Sequence, residues 1–258
     1  MNTYDIFQRV VHFSPDLGLT YLSIPKVACS SFKRSIWEAA DRKNGVRTLL
    51  EGMSPHRKDT SPFVHALPAV KRRMDAFIDS QFFVVVRNPY ARLLSGYLDK
   101  VAAERRDMKV WKVIAQQLDY KIADRPTFAD FVNRLSGVDL ANIDPHIAPQ
   151  SDVANVGRFP IDHLGHLEAL DPTVEFLWQY GVDLSAYRPH ETNASDRLSE
   201  FYTDKEFDVV ARIFARDFEA FGYSKNPVNL SAGDKIWIPT VSREDFLHYL
   251  MAIWEDID

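Results

Sequence analysis

The chain has 258 residues, of which 46% are hydrophobic, 12% aromatic and 26% charged, a balance that excludes the disordered, collagenous and coiled-coil classes. Its 31 Lys and Arg against 36 Asp and Glu leave a net charge of −5, divided unevenly: residues 1–125 carry 21 basic and 13 acidic groups, residues 126–258 carry 10 and 23. An anionic ligand is therefore expected on the first half, whose modest basic surplus is not that of a nucleic-acid binder.

In chain order, Leu19–Ile24 is a β-prone run that ends at Pro25 and passes into a stretch with Phe32, Ile36, Ala39 and Ala40 on one helical face. The pattern recurs. Phe82–Val86 reads as a strand buried on both faces, and Asn88 caps and Pro89 opens a helix with Leu93, Leu94, Tyr97, Leu98 and Val101 inward. Residues 108–120 and Thr127–Ser136 predict two further helices. The two prolines of Asp144–Gln150 forbid regular structure, which places this stretch at the surface or along a cleft. His163–Leu167 is a candidate strand. Thr203 and Glu206 form a capping box for a helix whose aromatic stripe, Phe207, Phe214, Phe218 and Phe221, reads as core up to Gly222. Ser242 and Asp245 open a last helix with Phe246, Tyr249, Leu250 and Ile253 inward.

No repeat, low-complexity tract or long linker divides the chain, so residues 1–258 are read as a single α/β domain. Strands alternating with helices predict a central, mainly parallel sheet flanked by helices, with ligands beyond the carboxyl ends of its strands. No apolar run reaches the roughly 18 residues of a transmembrane helix, and no basic then apolar leader opens the chain. The single Cys29 excludes an internal disulfide and multi-cysteine metal sites. A cytoplasmic chain without signal peptide or membrane anchor is the expectation.

The first strand-to-helix turn contains Pro25, Lys26, Val27, Ala28, Cys29, Ser30, Ser31 and Phe32. Amides at a helix start, the hydroxyls of Ser30 and Ser31 and the Lys26 ammonium would converge on a phosphate or sulfate. An ordinary capped helix start is the plainer alternative. The G-x-x-x-x-G-K-[ST] pattern of nucleoside triphosphate loops is absent. Four residues separate Cys29 from Arg34, one fewer than cysteine phosphatase loops commonly have. In the second turn Arg87 leaves the buried strand and Ser95 follows on the helix, so a guanidinium and a hydroxyl could grip a second phosphate. One ligand with two separated anionic groups explains both turns.

These residues carry a resemblance. Ile24–Lys33 resembles the 5′-phosphosulfate loop of sulfotransferases, and Phe83–Tyr97 resembles their 3′-phosphate motif. His146–Gln150, Ile161–Leu170 and Asp217–Tyr223 are similar to further segments of the carbohydrate (Golgi-type, family 2) sulfotransferases and their bacterial relatives. The likeness spans about residues 19–224, leaving 225–258 as a C-terminal extension. It implies a P-loop-like α/β fold and a donor, 3′-phosphoadenosine 5′-phosphosulfate (PAPS), that leaves as adenosine 3′,5′-bisphosphate. The implied acceptor is a hydroxyl of a carbohydrate or glycoconjugate, and no metal is required.

Sulfuryl transfer needs a cation at the leaving oxygen and a base at the attacking one. Lys26 suits the first role. For the base, His65 resembles a histidine that related enzymes place beside the acceptor, and His146 of the Pro-Gln segment is the next candidate; Glu51, Asp59 or Asp144 could replace a histidine. His163 and His166 read as strand residues rather than a metal pair, and His12, His56, His190 and His248 as surface or packing. Cys29 needs no role beyond its small volume in a tight loop. Ser195 and Arg197 are candidate nucleotide contacts. Rival readings are a kinase-like transferase, sulfation of a lipid or a small alcohol or amine, and a catalytically silent nucleotide- or glycan-binding protein.

Overall fold

The computed structural model describes residues 7–185, 193–231 and 236–255. At its centre β1 (Val11–Ser14), β2 (Leu19–Leu22), β3 (Gln81–Val86) and β4 (His163–His166) lie side by side in that order. β1 pairs antiparallel with β2; β2, β3 and β4 are parallel neighbours. The expected α/β fold with a mainly parallel sheet is thus observed. The short β1 is an addition that no periodicity in the sequence announces. Its outer side is met by Val64, whose amide donates to the Phe13 carbonyl at 2.7 Å.

The run 82–86 behaves as its apolar continuity requires. Phe82, Val84 and Val86 pack into the larger core on one face, while Phe83 and Val85 join Tyr21, Phe32 and Ile36 on the other. Alternation of a strand's side chains puts both sets out of water. Each such fully buried side chain contributes roughly 1.5–3 kcal/mol relative to exposure.

Helices cover both faces. α1 (Cys29–Asn44) follows β2, and α2 (Leu67–Lys71) and α3 (Met74–Ile78) complete the crossover to β3. α4 (Pro89–Lys100) follows β3, with Asn88 capping it by accepting from the Tyr90 amide at 3.0 Å. α5 (Met108–Gln117) and α6 (Phe128–Leu135) start at the caps Asp107 and Thr127. Then come α7 (Gln150–Val153), β4, α8 (Asp171–Trp178), α9 (Leu198–Phe201), α10 (Asp204–Ile213), α11 (Ala215–Ala220) and α12 (Arg243–Glu255). The stripe from Phe207 to Phe221 is not one helix: the chain breaks at Phe214 (φ −106°, ψ 21°). In the C-terminal extension, Phe246 packs edge-on against Phe82 at 5.2 Å between ring centroids.

Candidate active site

Because β2 and β3 are parallel neighbours with Leu22 opposite Val84, the segments that leave them emerge at the same edge of the sheet. The turn after β2 is strained. Lys26 (φ 71°) and Ala28 (φ 61°) both hold left-handed backbone without being glycine, a conformation tolerated where the surroundings enforce it. Ala28 is the N-cap of α1 and makes no side-chain cap bond, so the helix start is left to its own amides. Val27 and Phe32 are fully buried and pin the turn into the two cores.

Both turns open on one cleft of about 700 Å³, within the size range of small-molecule sites. Pro25, Lys26, Ala28, Cys29, Ser30 and Ser31 line it from the first turn, Arg87 and Ser95 from the second. The Arg87 guanidinium donates to the Lys26 carbonyl at 3.4 Å and to Ser195 Oγ at 3.1 Å, joining the two turns to a third lining segment.

A polar scaffold holds this edge. Asp217, fully buried, accepts from the Gln150 amide at 2.7 Å, the Ser151 amide at 2.9 Å and Ser151 Oγ at 2.7 Å. Burial pushes its carboxyl up, against those three donors. Glu168 accepts the Asn88 amide at 2.8 Å and the Tyr223 hydroxyl at 2.7 Å. Arg92, 2% exposed, donates to the carbonyls of Pro25 (3.1 Å), Ala148 (2.6 Å) and Pro145 (2.8 Å). It fastens the first turn to the irregular 144–150 stretch. The break at Phe214 precedes α11, the element that carries Asp217 beneath Gln150.

Charged side chains in the cleft are paired. Lys26 Nζ lies 2.8 Å from Asp99 Oδ2, which Lys100 also approaches at 3.1 Å. Burial lowers the Lys26 pKa and Asp99 opposes the fall. His146 lines the same cleft and places Nδ1 2.7 Å from Asp144 Oδ1. Burial raises the Asp144 carboxyl, but the contacts from His146 outweigh it and hold it below the ordinary carboxylate value. Asp144 is then anionic and accepts, so Nδ1 carries a proton, and in the neutral ring Nε2 has the lone pair.

Of the residues singled out in the sequence, the structure brings Lys26, the Ser30–Ser31 pair, Arg87, Ser95, His146 and Ser195 into one cleft. His65 and Arg197 are not among its lining residues. The His65 Nδ1 is 3.3 Å from the Val11 carbonyl, its ring is edge-on to His12 at 4.7 Å, and burial lowers its pKa to about 4. Arg197 pairs with Glu200 at 2.9 Å and lies over Phe201. His163 stacks on Phe176 at 4.4 Å and His166 meets the Phe221 carbonyl at 2.9 Å. Among the described residues no group of three His, Cys, Asp or Glu is arranged to hold a metal, and no helix is long and apolar enough to cross a membrane. His190 lies outside the described residues.

Sequence reasoning missed His56, assigned there to surface or packing. It lines the cleft with Nε2 2.8 Å from Ser30 Oγ. It missed Asp99 as well, although Asp99 follows Ser95 by one helical turn and so shares its face.

Two strand-to-helix turns at the carboxyl edge of the parallel sheet thus open on one cleft, which Lys26, Arg87 and His146 line together. The comparison with known families gives the class its name: the sequence profile described as the sulfotransferase family matches residues 10–224. The chain belongs to that family. Two curated proteins similar to it are carbohydrate sulfotransferase 14 of Mus musculus, 27% identical over 158 residues, and that of Danio rerio, 27% identical over 169. The matched stretches are 58% and 61% of this chain but 41% and 44% of those proteins, so the chain spans less than half of either relative. No solved structure gives a significant match.

Proposed function

We propose that this chain transfers the sulfuryl group of PAPS to a hydroxyl of a carbohydrate or glycoconjugate acceptor. The observation that carries the reading is the opening of the Lys26–Ser31 turn and the Arg87–Ser95 turn on a single cleft that also contains His146. Two separated cationic sites suit the 5′-phosphosulfate and the 3′-phosphate of one nucleotide. Family membership supports the donor, and the names of the two relatives, carbohydrate sulfotransferases, support the acceptor class. A reducing, cytoplasmic setting is part of the proposal, supported by the single cysteine.

In this reading the acceptor oxygen attacks sulfur while the bond from sulfur to the phosphate oxygen breaks, and adenosine 3′,5′-bisphosphate leaves. Lys26 offsets the negative charge that builds on the leaving oxygen. His146, held by Asp144 with its Nε2 lone pair available, takes the acceptor proton. Arg87 and Ser95 hold the 3′-phosphate; Ser30, Ser31 and the first amides of α1 hold the 5′ end.

The test is incubation with isotopically labelled PAPS and a panel of polysaccharides, lipids and small alcohols, followed by identification of labelled product. Label in a polysaccharide is the expected result. Label confined to lipid or small alcohol moves the acceptor class. Tight binding of adenosine 3′,5′-bisphosphate with no labelled product from any acceptor makes the chain a silent nucleotide-binding protein.

A further inference from the structure

One buried cation beside the donor turn has no part in the chemistry above. Lys33, one turn into α1, is 5% exposed. Its Nζ is 3.3 Å from His56 Nδ1, and Nε2 of the same ring is 2.8 Å from Ser30 Oγ. His56 and Ser30 both line the cleft, whereas Lys33 does not.

The directions of these hydrogen bonds follow from the inventory of donors. An ammonium can only donate, so Nδ1 of His56 accepts. A neutral imidazole with Nδ1 accepting carries its proton on Nε2 and donates it to Ser30 Oγ. Protonating the ring fully would set an N–H against the ammonium. Ser30 Oγ, accepting from His56, turns its own proton toward a different acceptor. Three donations therefore run in one direction, from the interior toward the cleft.

We propose that Lys33 and His56 are positioning residues that act through Ser30, fixing its hydroxyl proton onto the 5′ end of the anionic donor. This rests on the donor reading above, and the two are separable by experiment. Burial lowers the Lys33 pKa to about 8. Cys29 on its own helix favours the charge and Lys58 opposes it; His12 on β1 and His65 also face it, both with pKa values lowered by burial and so uncharged near neutrality. Lys33 is protonated below that value, so the fixed direction is present at neutral pH and is lost as pH rises through about 8.

Calorimetric titration with adenosine 3′,5′-bisphosphate and with adenosine 3′-monophosphate reads the preference for a 5′-phosphate directly. Lys33→Met and His56→Ala should each lower that preference roughly tenfold, the scale of one hydrogen bond to a charged group. The double variant should lose little more than either single one, because the relay is broken once. Lys33→Arg should restore part of the preference. In the unmodified protein the preference should decline as pH rises through about 8, a decline that Lys33→Met should flatten. His56 is exposed at the cleft, so His56→Ala carries the test even if Lys33→Met does not fold. An unchanged preference in His56→Ala, or additive losses in the double variant, overturns the relay while leaving the donor reading intact. Failure of the unmodified protein to bind either nucleotide overturns both.

Discussion

Gln150 holds the Arg87 peptide from both sides. Its side-chain carbonyl accepts the Arg87 amide at 2.9 Å, and its side-chain amide donates to the Arg87 carbonyl at 2.7 Å. The loop thereby receives the paired bonding that a neighbouring strand supplies inside a sheet, at the point where β3 has ended and the guanidinium must be aimed. Gln150→Ala removes both hydrogen bonds from the Arg87 backbone, each worth about 0.5–1.5 kcal/mol. We expect a lower melting temperature together with a raised dissociation constant for adenosine 3′,5′-bisphosphate, measured by calorimetry. A destabilised variant with unchanged nucleotide affinity would show that Arg87 is aimed by other contacts.

Gly96 lies next to Ser95 on α4, and a Cβ there would stand 2.7 Å from the His146 carbonyl oxygen and 3.3 Å from Ile147 Cγ2. The closest atom is backbone, so the strain cannot be relieved by a side-chain rotation and the backbone at His146 must move. Gly96→Ala should therefore displace His146 while leaving the Arg87 turn in place. The expected result is a fall in kcat of up to about 10²-fold, the effect of a displacement near 1 Å, with a much smaller change in nucleotide affinity. Equal losses in both would mean that the whole cleft has shifted.

The two donor turns were legible because each combines a short apolar strand, a turn with chemistry-bearing side chains and a periodic helix, all within roughly 20 residues. Their convergence was legible too, since parallel strands release their chains at one edge. His56 was not, because its loop has no periodicity and its contact with Ser30 spans 26 positions. The displacement of His65 from the cleft was equally hidden. Nothing in its position between the two motifs announces that β1, an edge strand too short to show itself, supplies His12 and the Val11 carbonyl to its ring. Arg92, a guanidinium inside an amphipathic helix, gave no hint that it ties Pro25 to Pro145 and Ala148.

Lys26 shares its charge with Asp99, and the consequence is a pH limb. Burial lowers the ammonium's pKa while Asp99 raises it, so removing the carboxylate in Asp99→Asn should lower it further. If Lys26 acts on the leaving oxygen it does so only while protonated, so activity should be lost as pH rises through its pKa. Asp99→Asn should thus move the basic limb of the kcat profile to lower pH. Lys26→Met should remove that limb and reduce kcat by about 10²–10³-fold, as loss of one charge-stabilising group does. A Lys26→Met variant with normal kcat and only a raised KM would make this residue an anchor.

His146 and His65 separate by experiment because their surroundings differ. His146 lines the cleft with Asp144 on its Nδ1; His65 packs against His12 with its pKa lowered to about 4 by burial. If His146 removes the acceptor proton, His146→Ala should lower kcat/KM by roughly 10²–10⁴-fold with nucleotide affinity nearly unchanged. His65→Gln should instead alter acid stability. An unfolded histidine binds its proton near 6.5 and the folded His65 near 4, so between those values the unfolded state holds more protons and stability falls as pH falls. The loss from this one group reaches up to about 3 kcal/mol at the acid end. Chemical denaturation from pH 7 to pH 4 should show a shallower decline for His65→Gln than for the unmodified protein, with turnover retained. Should His65→Gln be inactive with PAPS still bound while His146→Ala turns over, the proton goes to His65, and His146 only shapes the acceptor side of the cleft.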